Sequence, residues 1–391
     1  MFRTLFVFSF IFSLSYLSSQ PLCNKNYDVT VVYESNTDCL NNNFNDVVIT
    51  SRLKELNFLT PIPLEYNEEV LNYIKYFLTD KRDWLINCIS LSSYYFPIFE
   101  SYLDKYQLPL ELKYIAVIES GLDPFARSKS GAVGLWQFLY PTSQLLNLKV
   151  NSFIDERQDP YKSTEAACRY LEYLYNMFND WLLAIAAYNA GPNVVKNAII
   201  RSGNKNSFWE IRKYLSIETQ NYVPAFIAIN YLMNYYNDYN LDVKKSLYYY
   251  HVDTIMIDKP LYFKDVSAIL NIPIEVLRFY NPQYKRDYIP YFGKPVPFII
   301  DANKIAEFIK NSNVIFNSSL PKYEPLPKKK LVQYTVKKGD YLTKLSIAFR
   351  CSPDEIKLWN NLSSNELTTG TVLNIWTYDD YEDNLKLLNS E

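Results

Sequence analysis

Two stretches in the last third of the chain repeat one another at an offset of 79 residues. Ser267-Ala268-Ile269-Leu270 leads to Glu275-Val276-Leu277-Arg278-Phe279-Tyr280-Asn281. Ser346-Ile347-Ala348-Phe349 leads to Asp354-Glu355-Ile356-Lys357-Leu358-Trp359-Asn360. Each copy ends in an aromatic residue followed by Asn, then runs into a β-like segment, 296–300 in the first and 371–375 in the second. The region after about residue 245 therefore reads as two small modules, each with short helices between β-like runs.

The pattern upstream is different. From Asn67 to about Tyr239, apolar residues recur at steps of three and four, in Val70-Leu71, Ile74 and Phe77-Leu78 and again in Leu110, Ile115 and Ile118. That is the period of helices with one buried face. Pro109 marks a helix start, where its missing N–H is harmless, and Gly121 marks a stop. Residues 180–189 read as a further helix ended by Ala190-Gly191-Pro192. Ser216 reads as the cap of the next, with Glu218 in its first turn. The expected organisation is a signal peptide at 1–19, a linker at 20–65, a helical domain at 66–240, a degenerate module at 245–305, a linker at 306–330, a second module at 331–377 and an acidic tail at 378–391.

Composition removes several classes of function. The net charge is −2 and the pI about 5.8, so no basic field argues for nucleic acid. The single histidine, His251, excludes a multi-histidine metal site, and no cysteine has metal-ligand spacing, so no metal or cofactor is expected. Tyr (36) and Phe (23) are abundant; codon bias explains most of them, and sugar stacking can concern only a few. The N-terminus has one positive charge at Arg3, an apolar run from Thr4 to Leu17, and then Ser18-Ser19-Gln20-Pro21. This is the pattern of a cleaved export signal, and it is short for a membrane span. Gln20-Pro21-Leu22 is a poor context for lipidation of Cys23. Export would permit a Cys23–Cys39 disulfide, while Cys88 and Cys168 read as buried thiols.

The chemistry centres on Glu119-Ser120-Gly121-Leu122-Asp123-Pro124, followed by Ser128 and Gly131-Ala132-Val133-Gly134-Leu135-Trp136-Gln137. Glu119 ends an apolar helix just before a Gly-rich, aromatic-closed loop. Burial beside Ile115 and Ile118 would favour its protonated form, which can donate to a glycosidic oxygen. A glycosidase ordinarily uses two carboxylates. Asp123 reads as a turn residue, and Asp155 and Asp159 as structural caps, so no second catalytic carboxylate is evident. One carboxylate suffices when the substrate supplies an acetamido group and an intramolecular hydroxyl.

These segments, with Ala187-Tyr188-Asn189-Ala190-Gly191 downstream, resemble the catalytic domain of the soluble lytic transglycosylase family 1 over about residues 95–235. The resemblance implies a mainly α, lysozyme-like helical domain with a glycan groove. It implies that Glu119 is the single acid/base, that Ser128, Gln137, Tyr188 and Asn189 bind substrate, and that Glu218 is a second acidic residue of the site. The segment from Tyr334 through Asn361 is similar to a LysM module, a βααβ fold that binds N-acetylglucosamine-containing glycans. That similarity implies a sugar-facing loop at Gly339, Asp340 and Tyr341, with Asp340 also able to cap the following helix. The copy at 245–305 lacks the Gly-Asp pair and resembles a degenerate LysM-like module. The implied partner is the glycan strand of peptidoglycan, in the periplasm and compatible with outer-membrane association. Three functions fit: a lytic transglycosylase leaving 1,6-anhydro-MurNAc ends, a muramidase of the same fold, or a non-catalytic cell-wall binding protein. Endo or exo action and oligomeric state are not legible.

Overall fold

The computed structural model describes residues 46–243, 251–319 and 330–377. The expected signal peptide, Cys23, Cys39 and the acidic tail lie outside them. The chain divides into two compact units, Met1–Arg82 with Tyr173–Leu241, and Asp83–Glu172 with Asp242–Glu391. No helix among the described residues is long and apolar enough to cross a membrane.

The first unit is helical. At its centre runs the helix Ile217–Tyr235, buried on nearly every side from Tyr222 to Met233. It packs against the helices Glu68–Leu78 and Trp181–Ala190. Its N-terminus is capped as the sequence implies, with the Ser216 hydroxyl accepting from the Thr219 N–H. Pro224 lies inside the helix and has no N–H to give to the carbonyl of Gln220. Arg212 Nε donates to that carbonyl instead, at 2.8 Å. The helix therefore continues through a proline because a side chain replaces the missing bond.

The expected linker at 20–65 is corrected here. Residues Asp46–Asn57 form a helix whose Ile49 and Leu53 are completely or almost completely buried, and Ile62 and Leu64 are buried just beyond it. Ile49 and Leu53, one turn apart, are its buried residues, and the helix docks on Ile217–Tyr235. Asn57 Oδ1 then accepts from Leu64 N–H at 2.8 Å and folds the Pro-rich segment back.

The second unit holds the helix Tyr114–Ser120, nearly all of Arg82–Lys105, the greater part of Pro160–Phe178 up to Glu172, the long loop between Ser120 and Pro160, and both modules. The repeat read from sequence is a repeat of structure. In the first module, strand Val252–Ile257 pairs antiparallel with Val296–Asp301, and the helices Phe263–Leu270 and Ile274–Tyr280 lie between them. In the second, Lys330–Thr335 pairs with Val372–Thr377 around Leu342–Phe349 and Pro353–Asn360. The first helix of each ends on a left-handed residue, Asn271 (φ 52°) and Arg350 (φ 51°).

The repeated Asn explains why the motif recurs. Asn281 Nδ2 donates to the carbonyls of Leu277 (3.0 Å) and Ile299 (2.7 Å), and its Oδ1 accepts from Ile299 N–H (2.8 Å). Asn360 does the same with Ile356, Asn374 and Asn374 N–H, at 2.8, 2.8 and 2.7 Å. One amide thus ends the second helix and fixes the closing strand to it.

The expected linker at 306–330 is corrected over its first half. Ile305–Ser319 is a helix, and its Phe308 and Ile315 join the core of the first module, against Phe298 and its neighbours. The first module therefore extends beyond 305, because its face would otherwise be left open to water.

Candidate active site

Glu119 is the penultimate residue of the short helix Tyr114–Ser120. The helix stops at Gly121 (φ 62°), whose N–H returns to Val117 O at 2.8 Å. A Cβ at Gly121 would sit 2.5 Å from Trp84 Nε1, so only glycine lets the helix end against that indole. Ser120 lies within hydrogen-bond reach of Ala116 O (3.0 Å) and of Leu135 O (2.9 Å), tying the helix end to the following loop. Ile115 and Val117 are fully buried, whereas Ile118 and Glu119 are only half-buried. The expected burial of Glu119 is corrected to this extent: the residue lies half-buried at the edge of the core.

The loop after the helix is built by its own backbone. Asp123 accepts from Phe125 N–H at 2.8 Å, as a turn residue should. Ser128 and Ala132 close a tight turn. Ser128 N–H donates to Ala132 O, and Ala132 N–H donates to Ser128 Oγ, both at 3.0 Å. Gln137 Nε2 donates to the carbonyls of Gly134 (2.8 Å) and Ala126 (3.1 Å). Both residues therefore shape the loop.

Arg157 locks this loop from beneath. It forms a buried bidentate pair with Asp155, at 2.9 Å from Nε to Oδ1 and 2.7 Å from Nη2 to Oδ2. Its Nη1 reaches Gly131 O (3.2 Å) and Phe138 O (3.3 Å). A Cβ at Gly134 would lie 1.9 Å from Arg157 O, so the loop can approach Arg157 only with glycine there. The Arg157 guanidinium neighbours hold the Asp155 carboxyl below its ordinary value despite complete burial. Asp159 accepts from Tyr161 and Lys162 N–H at the start of the next helix, yet burial pushes it up to about 6. The reading of Asp155 and Asp159 as structural holds. Arg157 and Asp155, two residues apart in a short loop, leave no periodic trace in the sequence.

Tyr188, Asn189 and Glu218 belong to the first unit. Tyr188 and Asn189 lie half-buried near the C-terminal end of Trp181–Ala190, a helix capped by Asp180 at its start. Asn189 Nδ2 donates to Glu218 Oε1 at 3.2 Å, and Asn189 Oδ1 accepts from Thr219 Oγ1 at 2.8 Å. Burial raises the Glu218 carboxyl above its usual range, and the Asn189 hydrogen bond offsets this in part. The structure thus brings together two residues read 29 positions apart.

The three LysM residues differ in role. Gly339 is exposed beside open space. Asp340 has a side chain only 1% exposed. It accepts from Lys337 N–H and Tyr334 Oη, both at 2.7 Å, and from Lys344 Nζ at 3.1 Å. The expectation that it caps the following helix is corrected: Tyr341 is the N-cap residue, and no side chain caps there. Asp340 is spent on building the loop and is positioned away from solvent. Tyr341 Oη donates to Lys129 O at 2.8 Å, and Thr343 packs on Gly131, so this module meets the 128–132 turn.

Family comparisons agree with this architecture. Residues 97–210 match the transglycosylase SLT domain, residues 251–315 the LysM-like domain of lytic transglycosylase MltD, and residues 334–376 the LysM domain. Over 277 residues the chain is 27% identical to membrane-bound lytic murein transglycosylase D of Escherichia coli, covering 69% of this chain and 61% of that protein. It thus spans less than two thirds of that relative's length. It is 32% identical over 120 residues to peptidoglycan transglycosylase gp16 of Escherichia phage T7, covering 30% of this chain and 9% of that one. Among solved structures, the 70 kDa soluble lytic transglycosylase of Escherichia coli aligns at a TM-score of 0.34 and 20% identity, over 44% of this chain and 32% of that chain. The chain carries a mainly helical transglycosylase SLT domain followed by an MltD-type LysM-like domain and a LysM domain, and is a distant homologue of Escherichia coli lytic murein transglycosylase D.

Proposed function

We propose that the protein is a peptidoglycan lytic transglycosylase that cleaves the MurNAc-β-1,4-GlcNAc bond without water. The observation that carries this reading is Glu119 held at a helix end, half-buried, by the Gly121–Trp84 contact and the Ser120–Leu135 tie. It sits beside a loop whose sequence matches the SLT domain.

Glu119 donates its proton to the glycosidic oxygen as the bond from MurNAc C1 breaks, and GlcNAc leaves with that proton. The MurNAc acetamido oxygen stabilises the positive centre at C1. The C6 hydroxyl then attacks C1, and its proton returns to the Glu119 carboxylate. The product is a 1,6-anhydro-MurNAc end, and Glu119 is regenerated. Ser128 and Gln137 in the second unit, and Tyr188, Asn189 and Glu218 in the first, would each contribute to glycan binding. Gly339 and Tyr341 of the LysM domain would keep the polymer near, with Asp340 shaping their loop. The name of the Escherichia coli relative supports a cell-envelope location.

Mass spectrometry of a digest of purified peptidoglycan tests the chemistry. Anhydro ends are expected; reducing ends alone would make the protein a muramidase, and no release with murein binding intact would leave a binding protein. Glu119→Gln is expected to lower turnover by at least about a thousand-fold while murein binding persists. Substantial residual turnover would sink the assignment.

A further inference from the structure

The first module shares its core with the catalytic domain. Ile154, from the catalytic-domain loop, is buried in the same apolar cluster as the module's Tyr284, Ile289 and Phe298, and Phe153 packs against that cluster. Ile154 and Tyr284 also form an antiparallel β-bridge. Asp155 N–H donates to Gln283 O and Lys285 N–H donates to Phe153 O, both at 2.9 Å. A short piece of the catalytic loop is thus added to the module much as an extra strand is added to a sheet. Side chains reinforce the join. Lys285 Nζ donates to Asn151 O at 3.0 Å and Arg286 Nε to Ser152 O at 3.2 Å, and the Tyr288 ring meets Phe153 edge-on at 6.2 Å. A further contact lies on the helix Arg82–Lys105, where the Tyr94 ring packs on Phe279 and Tyr280 at 4.9 and 5.8 Å.

The segment held in this way leads to the site. Asp155, whose N–H the module fixes, is the buried partner of Arg157. Arg157 Nη1 in turn reaches Gly131 O and Phe138 O, at 3.2 and 3.3 Å. Gly131 N–H donates to Ser128 O at 3.0 Å, and Val133 N–H donates to Phe138 O at 3.1 Å. Directional bonds therefore run from the module to Asp155, from Asp155 to Arg157, and from Arg157 into the backbone on either side of Gln137. The side chains of Arg157 and Asp155 are only 5% and 2% exposed. A buried ion pair cannot turn away from its partners without stranding a charge, so a shift at Asp155 is passed on to the loop rather than absorbed.

We propose that the first module is a brace of the active site: its Tyr284–Lys285 edge positions Asp155 and, through Arg157, the loop that carries Ser128 and Gln137. The inference rests on the reading of that loop as part of a transglycosylase site, and deepens it by making Ile154 and Lys285 positioning residues for the reaction. The role needs no Gly-Asp loop, which this module lacks. It predicts that weakening the join slows turnover by misplacing groups around the bound glycan, and leaves the polymer's retention by the chain as it was.

Ile154→Ala and Lys285→Met, made separately and together in the full chain, test the brace. Amide hydrogen exchange is followed without substrate, turnover on soluble uncross-linked glycan strands, and retention on insoluble murein. In the double variant the Val133 and Gln137 amides, hydrogen-bonded to Phe138 O and Gly134 O, should exchange at least about ten-fold faster. Its kcat should fall at least about ten-fold, with KM and murein retention within about two-fold of the wild type. Exchange in the module's own strands, 252–257 and 296–301, should not change, which shows that the module is still folded. If it does change, the single variants decide by the same readings. Ile154→Val, which keeps the β-branched contact, should recover most of the lost turnover. Unchanged exchange at Val133 and Gln137 overturns the proposal. So does an unchanged kcat once those amides exchange faster, or a loss of KM and murein retention with kcat intact, which would make the module a glycan binder. A wild-type protein that makes reducing ends or no product refutes the reaction instead, and exchange alone then decides whether the module holds the loop.

Discussion

The two modules share one plan and differ in how it is finished. In the first, the position matching Asp340 is Leu261, fully buried in a small ladder with Ile289. In the second it is a carboxylate tied to Lys337, Tyr334 and Lys344. The first adds the helix Ile305–Ser319 over its core, whereas the second, among the described residues, shows only the βααβ plan. One module closes its entrance with apolar packing, and the other closes it with charge. The apolar solution needs more chain and gives up the Gly-Asp loop; the charged one is compact and leaves Gly339 exposed.

The largest expected effect comes from the shared staple. Asn281 is fully buried and Asn360 half-buried. Asn281→Ala strands buried backbone groups and should destabilise the first module by about 3 kcal/mol, against about 1–2 kcal/mol for Asn360→Ala in the second. Hydrogen exchange at 296–301 and 372–377 reads the two separately, and equal losses would remove the distinction.

Acid should separate the modules next. Although burial opposes it, the Lys337 N–H, Tyr334 and Lys344 hold the Asp340 carboxyl below its ordinary value. A depressed carboxyl contributes stability above its unfolded value of about 4, and that stability is lost as pH falls through the folded value. The second module should therefore loosen below about pH 4 by a route Leu261 does not offer the first. Asp340→Asn should remove that dependence. Fluorine-labelled Trp359 and Trp376, both in the second module, report it by NMR; an unchanged acid response in the variant would show that other groups carry it. The smallest effect is at a helix start. Ser352 forms a capping box with Glu355, while its counterpart Pro273 has no side-chain cap. Ser352→Ala should cost about 1 kcal/mol in urea unfolding of the second module.

The same contrast explains what could be read in advance. The repeat was legible because its staple is a side chain at a fixed place, Asn281 and Asn360. The helix end at Glu119 and the Gly-rich loop after it were legible because glycines at a helix stop and in a tight loop leave marks in sequence, whereas the substrate roles of Ser128 and Gln137 came only from the family resemblance. The helices Asp46–Asn57 and Ile305–Ser319 were not, since each joins a core through only a few apolar residues in polar surroundings. The approach of the modules to the catalytic loop was least legible. It relies on carbonyls of Lys129, Asn151 and Ser152, and any residue type supplies a carbonyl.

The fit of Thr343 against Gly131 has an evolutionary consequence. A Cβ at Gly131 would come within 2.6 Å of Thr343 Cγ2, and Tyr341 bonds the same turn. The LysM domain is therefore not a freely exchangeable cassette. Replacing it with a foreign copy, or shuffling it elsewhere in the chain, would require the turn at 128–132 to change in step with the new surface. The two segments should drift together over time, while the outer face around Gly339 is free to diverge.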